Sequence, residues 1–355
     1  MKTKMSMICV VLAMLGVLAP MAPATALPRG LRVRTYKSDL SFPVDMSWVT
    51  GTRKVFFTEK NTGKIRILIG QRLKGRACAN LDVNSDGEGG ALGIELHPNF
   101  KRNHLLYVYY TNASPLENRV TRFKVVRGRC RFPKRILSGI DASGRYHHGG
   151  QLEFVGDHLF VSTGENHDAA RAQDTDSRQG KILRLDPDGS IPDGNPFSTA
   201  GDPNPVWSYG HRNPFGLARK PGTQQLYETE NGPNCDDEVN RILPGRNYGW
   251  GASYQCGTAG SGENPKRPLF RWRDPVAITD AWWYVGVLGR LSGDLYAGDF
   301  STGRIHRFDL NDAGTNIRRH RIIHDSTGNI TDVSKGPGGW LYFMTSSAIY
   351  KITRD

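Results

Sequence analysis

The chain has 355 residues, 41 of them glycine and 20 proline, and its 47 Lys and Arg against 34 Asp and Glu give a formal net charge of +13. That length suits one large all-β domain or two ordinary ones, and the many short aromatic-rich runs between Gly and Pro favour turns and strands over helices. The basic residues are scattered apart from short patches such as Arg318-Arg319, which argues against a nucleic-acid partner and for a solvated basic exterior.

The first element is an expected export signal over residues 1–26: MKTKM, an apolar run from Ile8 to Ala22, then Ala24-Thr25-Ala26 as a small-x-small cleavage site. Pro20 and Pro23 break the run before it reaches the roughly 20 apolar residues of a membrane span. No later segment is apolar enough to span. The mature protein is expected to start at Leu27, in a secreted or periplasmic compartment. Losing Lys2 and Lys4 takes its charge from +13 to +11. Cys9 leaves with the signal, so Cys78, Cys130, Cys235 and Cys256 are candidates for two disulfides. Three pairings are open, and joining sequence neighbours closes the shorter loops.

From residue 27 to 355 one phrase recurs. A short aromatic or branched strand is followed, after a turn, by a second strand resembling Gly-Lys/Arg-Ile-x-Arg-Leu/Phe. Copies start at Val55, Leu105, His158, Gln225, Asp294 and Trp340, between 46 and 69 residues apart. A two-strand unit that cannot bury both faces alone stacks radially, so the expected fold is an all-β, six-bladed propeller forming one domain. Ligand sites then belong at a mouth of the central channel, on loops between blades.

Three such loops carry chemistry. Tyr146-His147-His148-Gly149-Gly150-Gln151-Leu152 enters the third repeat, and its glycines let backbone approach an imidazole suited to general-base work near neutral pH. Trp207 to Gly216, before the fourth repeat, presents Arg212, whose fork of donors can polarise a carbonyl oxygen or brace an acidic loop. Asn231 to Gly251, reading NGPNCDDEVNRILPGRNYGWG, offers the carbonyls of Gly232 and Pro233, the carboxylates of Asp237 and Glu238, and the turn around Tyr248. Such oxygens suit a hard cation such as calcium, although no EF-hand spacing is present. His320 and His324 could ligate a metal if helical, but the region reads as a strand. Asn112-Ala113-Ser114 and Asn329-Ile330-Thr331 are glycosylation sequons.

These segments, with Glu88-Gly89-Gly90-Ala91-Leu92-Gly93-Ile94, His97-Pro98-Asn99-Phe100 and GKILRLDPDGSIPDGNPF from Gly180, together resemble the soluble glucose/sorbosone dehydrogenases. These are sugar dehydrogenases dependent on pyrroloquinoline quinone (PQQ). The resemblance runs from about residue 40 to 350 and implies the same six-bladed fold. It also implies an aldose as substrate, His147 as the base that takes a sugar hydroxyl proton, and Arg212 and Asn213 on the quinone. Gly232 and Pro233 would offer carbonyls to the calcium that polarises PQQ, while Glu238 and Tyr248 would serve a bracing calcium.

The chain departs from the family pattern at several positions. Glu88 replaces a Gln and Tyr146 an Asp that some members have, both on the sugar side. The cations expected to hold the PQQ carboxylates fall on Ser301, Asn329 and Thr331, with Arg304, Lys335 and Arg212 as possible substitutes. A second reading is therefore a non-enzymatic, calcium-stabilised propeller that binds a carbohydrate or protein, and a third is a calcium-dependent lactonase. The electron acceptor is not readable.

Overall fold

The computed structural model describes residues 27–325 and 328–355, so the expected export signal lies outside the described residues. Six antiparallel sheets form the expected propeller. From the axis outward, blade 1 comprises Pro43–Trp48, Lys54–Glu59, Lys64–Ile69 and Arg72–Leu73, with Ala79–Asn80 added to its third strand. Blade 2 is Ala91–Leu96, Leu105–Asn112, Glu117–Val126 and Arg129–Asp141, and blade 3 is Gly149–Val155, His158–Thr163, Lys181–Leu185 and Val206–Tyr209. Blade 4 is Pro214–Arg219, Leu226–Glu230, Asp237–Ile242 and Phe270–Trp272, and blade 5 is Ile278–Tyr284, Asp294–Asp299, Arg304–Leu310 and Ile317–Asp325.

Blade 6 supplies Ile330–Lys335, Leu341–Thr345 and Ile349–Arg354, and takes its outermost strand, Leu31–Lys37, from the start of the described chain. That pairing closes the ring and covers the outer edge of Ile349–Arg354.

The repeated phrase corresponds to the second and third strands of each blade. Inner strands lack an alternating pattern because both of their faces are covered: all seven residues of Gly149–Val155 are buried. Each inner strand carries a bulge or register shift within its first four residues. Between blades, aromatic and branched residues fill the wedges, as where Tyr107, Tyr109, Phe154 and Leu183 pack together. Each such side chain contributes about 1.5–3 kcal/mol of burial.

Cys78 pairs with Cys130 and Cys235 with Cys256, the neighbour pairing. His320 lies on the strand Ile317–Asp325, as its pattern suggested, and bonds His306 rather than joining His324. Asn112 is buried within a strand and donates to the Pro115 carbonyl at 2.8 Å, which removes it as a glycan acceptor in the folded protein. Among the described residues no helix is long and apolar enough to cross a membrane.

Candidate active site at one mouth of the channel

The loops that precede the inner strands gather at one mouth, and the sequence candidates meet there. His147 stands two residues before the inner strand Gly149–Val155, and its backbone has a left-handed φ of 63°. Its N–H donates to Glu88 Oε2 at 2.7 Å. Asn213 Nδ2 donates to the same carboxylate oxygen at 3.0 Å, and Asn213 Oδ1 accepts the Gly149 N–H at 3.1 Å. Glu88 thus ties the entrance of blade 3 to that of blade 4.

The His147 ring is buried, with Nδ1 against Glu165 Oε1 and its face stacked on His167 at 4.1 Å between centroids. A carboxylate at Nδ1 favours the proton on that nitrogen and leaves Nε2 as the basic one. Glu165 escapes motif reading because it stands just past the strand His158–Thr163. A signal existed nonetheless. Glu59, Glu230 and Asp299 end the second strands of blades 1, 4 and 5, and each faces a basic side chain: Arg66, His211 and His306. In blade 3 the matching position is Thr163, and the acid stands two residues further on as Glu165, with His147 as its partner.

Arg212 is half-buried beside this pair. The Glu165 N–H donates to the Arg212 carbonyl at 2.9 Å, and the Arg212 N–H in turn donates to Glu230 Oε1. Its guanidinium Nη1 donates to the carbonyls of Asn231 at 3.0 Å and Gly232 at 2.6 Å, and lies over the Trp250 ring at 5.2 Å. Arg212 Nε is buried and, among the described residues, has no hydrogen-bond partner. Tyr146 is exposed at the rim, edge-on to His167.

The acidic loop divides into two parts. Asp237 accepts N–H bonds from Gly232 at 2.9 Å, Val276 at 2.9 Å and Ile278 at 3.2 Å, so its carboxylate braces the loop rather than standing free. Pro233 is exposed beside the Gly232 carbonyl. Behind the loop, Glu238 is pushed up to about 8 by burial and by Glu230. Glu228, which lies 3.8 Å from His211 Nδ1 and whose two oxygens accept no hydrogen bond among the described residues, is raised by burial and by Glu230. Ligand atoms of His211, Glu228 and Glu230 lie within 4.8 Å of one another. Tyr248 stacks on His211 at 4.6 Å, and its hydroxyl donates to the Arg241 carbonyl at 2.5 Å.

Ser301 and Asn329 are partly or fully exposed and uncharged, and Thr331 is buried with its hydroxyl on the Pro43 carbonyl. The proposed substitutes separate: Lys335 lines a cavity at the opposite mouth, and Arg304 is paired with Asp325. Lys335 is carried away because an inner strand delivers its two ends to opposite faces of the ring, and Arg304 begins the outer third strand of blade 5. A cation the motifs did not indicate, Lys60, is here instead. It donates to the Gly87 carbonyl at 2.8 Å and feels Glu88 and Asp86, while burial lowers its hold on its proton. A cavity of about 1170 Å³ opens at the opposite mouth and is lined by neither His147, Arg212 nor Lys60.

The sequence matches the family described as Glucose / Sorbosone dehydrogenase over residues 40–354. It is 29% identical to the aldose sugar dehydrogenase YliI of Escherichia coli, covering 91% of this chain and 92% of that one. Against the quinoprotein glucose dehydrogenase B of Acinetobacter calcoaceticus it is 30% identical, over 66% of this chain and 55% of that one. The fold superimposes on the PQQ-bound aldose sugar dehydrogenase of Streptomyces coelicolor with a TM-score of 0.80 and 28% identity, covering 93% of this chain and 100% of that one.

Proposed function

Because this chain belongs to the glucose/sorbosone dehydrogenase family, we propose that it is an exported oxidoreductase that oxidises an aldose with PQQ and calcium. The observation that carries the reading is the buried His147–Glu165 pair beside Arg212, at the mouth where three blade entrances meet. His147 takes the proton from the sugar hydroxyl at Nε2, while Glu165 steadies the imidazolium through Nδ1. Glu88 and Tyr146 face the sugar, and their departure from the family pattern shifts which aldose fits.

The donor set suits a quinone with carboxylate groups. Arg212 has an orphaned buried N–H, Lys60 is a second cation at the rim, and Trp250 offers a flat ring. Arg212 and Asn213 would hold the quinone, Lys60 would stand in for the cations missing at Ser301, Asn329 and Thr331, and Gly232 and Pro233 would offer carbonyls to calcium. When bound, PQQ supplies the two-electron acceptor for the hydride. Glu238 and Tyr248, with Glu228 and Glu230 behind them, would house the bracing calcium. Two disulfides and the leader expected over residues 1–26 support an oxidising compartment outside the cytoplasm.

The test is reconstitution of the protein lacking residues 1–26 with calcium and PQQ, followed by dye reduction across a panel of aldoses. Expected results are aldose-dependent turnover in the wild type and a loss of about 10²–10⁴-fold in His147→Asn with PQQ still bound. Absence of both turnover and calorimetric PQQ binding overturns the proposal and leaves a calcium-stabilised binding propeller.

A further inference from the structure

The bulged entrances of the inner strands make the third residue of each strand equivalent around the ring. In order these residues are Asp45, Gly93, Gln151, Gly216, Asp280 and Asp332. Two residues further, where a strand returns to the same face, come Glu95 in blade 2, Glu153 in blade 3, Trp282 in blade 5 and Ser334 in blade 6. The axis therefore carries two stacked polar rings, and the upper one holds three aspartates.

Ligand oxygens of Asp45, Asp280 and Asp332 lie within 4.8 Å of one another, and all three residues are buried. Each has one oxygen anchored by a donor from another blade. Asp45 accepts the Ile94 N–H at 2.6 Å, Asp332 the Met46 N–H at 2.7 Å, and Asp280 the Gln151 amide at 2.5 Å. The remaining oxygen of Asp332 has no partner among the described residues, and neither does the hydroxyl of Ser334, which is 2% exposed. Both residues line a small cavity of about 10 Å³ together with Asp45 and Asp280, a space that holds one water-sized body. The cation recorded beside these rings is Arg219, at 3.7 Å from Glu153 in the lower one.

The geometry points to a buried calcium site on the propeller axis, with Asp45, Asp280 and Asp332 as carboxylate ligands and Ser334 as a further oxygen, while the Gln151 amide, whose Oε1 accepts the Leu152 N–H, holds Asp280 in place. All-oxygen donors select a hard cation, and magnesium, which keeps several of its waters, needs more room than the cavity has. The ion enters from the opposite mouth: the large cavity there shares Met46, Glu95, Glu153, Trp282 and Ser334 with the small one. This site is separate from the calcium loops at the active mouth and does not rest on the proposed reaction. Its competitor is a ring neutralised by protons, since burial and mutual repulsion raise all three aspartates.

Calcium is removed with a chelator and returned by calorimetric titration, counting equivalents in the wild type, Asp280→Asn and Asp332→Asn. The expected result is one equivalent fewer in each variant, with a smaller calcium-dependent rise in melting temperature. Terbium is a second probe that needs no change to the ring, since Trp282 lines the same cavity: luminescence excited through tryptophan should fall by more than half in Trp282→Phe. Equal calcium counts in wild type and variants overturn the site, as does terbium emission unchanged by Trp282→Phe. A chelated Asp332→Asn that melts above a calcium-insensitive wild type assigns the ring to protons.

Discussion

His147 is one of a small group of non-glycine residues held in left-handed backbone, and Asn166 and His167, which follow its partner Glu165, are two others. Each such residue costs on the order of 1–3 kcal/mol and persists only where surroundings over-determine it. We expect His147→Gly to abolish sugar oxidation while raising the melting temperature, measured by dye reduction and thermal unfolding on one preparation. Glu165 acts through His147, so Glu165→Gln should lower kcat more than KM and change the pH–rate profile, with Glu165→Asp recovering part of the loss. An unchanged pH profile would make Glu165 merely structural. His147, Arg212, Asn213 and Glu88 were legible because glycine and proline flank them in dense motifs. Glu165 and Lys60 were not, since each follows an ordinary second strand and acquires meaning only from what another blade brings alongside.

At the level of strands, legibility followed the alternation of side chains. The second and third strands show it, so the blade count could be read directly. The inner strands, buried on both faces, and the distant partner of the last blade could not. The disulfides are element-scale staples with testable weight. Cys235–Cys256 closes a separation of 21 residues beside Asp236 and Asp237. Replacing both cysteines by Ala should cost about 3 kcal/mol, read from urea midpoints, and should loosen the Gly232 turn. In blade 5, Asp299, His306 and His320 form a chain of 2.8 Å contacts, and burial lowers His320 to about 4. A histidine whose folded value lies below its unfolded one loses stability as pH falls from about 6.5 toward about 4. His320→Phe keeps the stacking on Phe270 and Phe308 and should flatten that acid limb; an unchanged limb would place the sensitivity elsewhere.

Over the whole molecule the ring separates two kinds of opening. One mouth collects the loops before the inner strands and with them His147, Arg212 and the acidic segment; the other collects the strand ends and the large cavity. The buried carboxylates lie between. Integrity of this arrangement depends on Leu31–Lys37, which pairs with Ile349–Arg354 from the far end of the chain. A version beginning at Ser38 should bare that edge, lower the melting temperature by several degrees and associate at high concentration, as measured by thermal unfolding and size-exclusion chromatography.

That same pairing bears on how the protein is made as well as how it endures. Its register runs from Leu31 opposite Arg354 to Lys37 opposite Ile349, so the clasp joins the earliest described residues to almost the last described ones. Five blades can assemble from neighbours in sequence, but the sixth must wait until a loop spanning nearly the whole chain has closed, the slowest kind of contact to find. Until then the molecule is an open arc with two unsatisfied edges, and that interval is when it is most vulnerable to a protease or to another copy of itself.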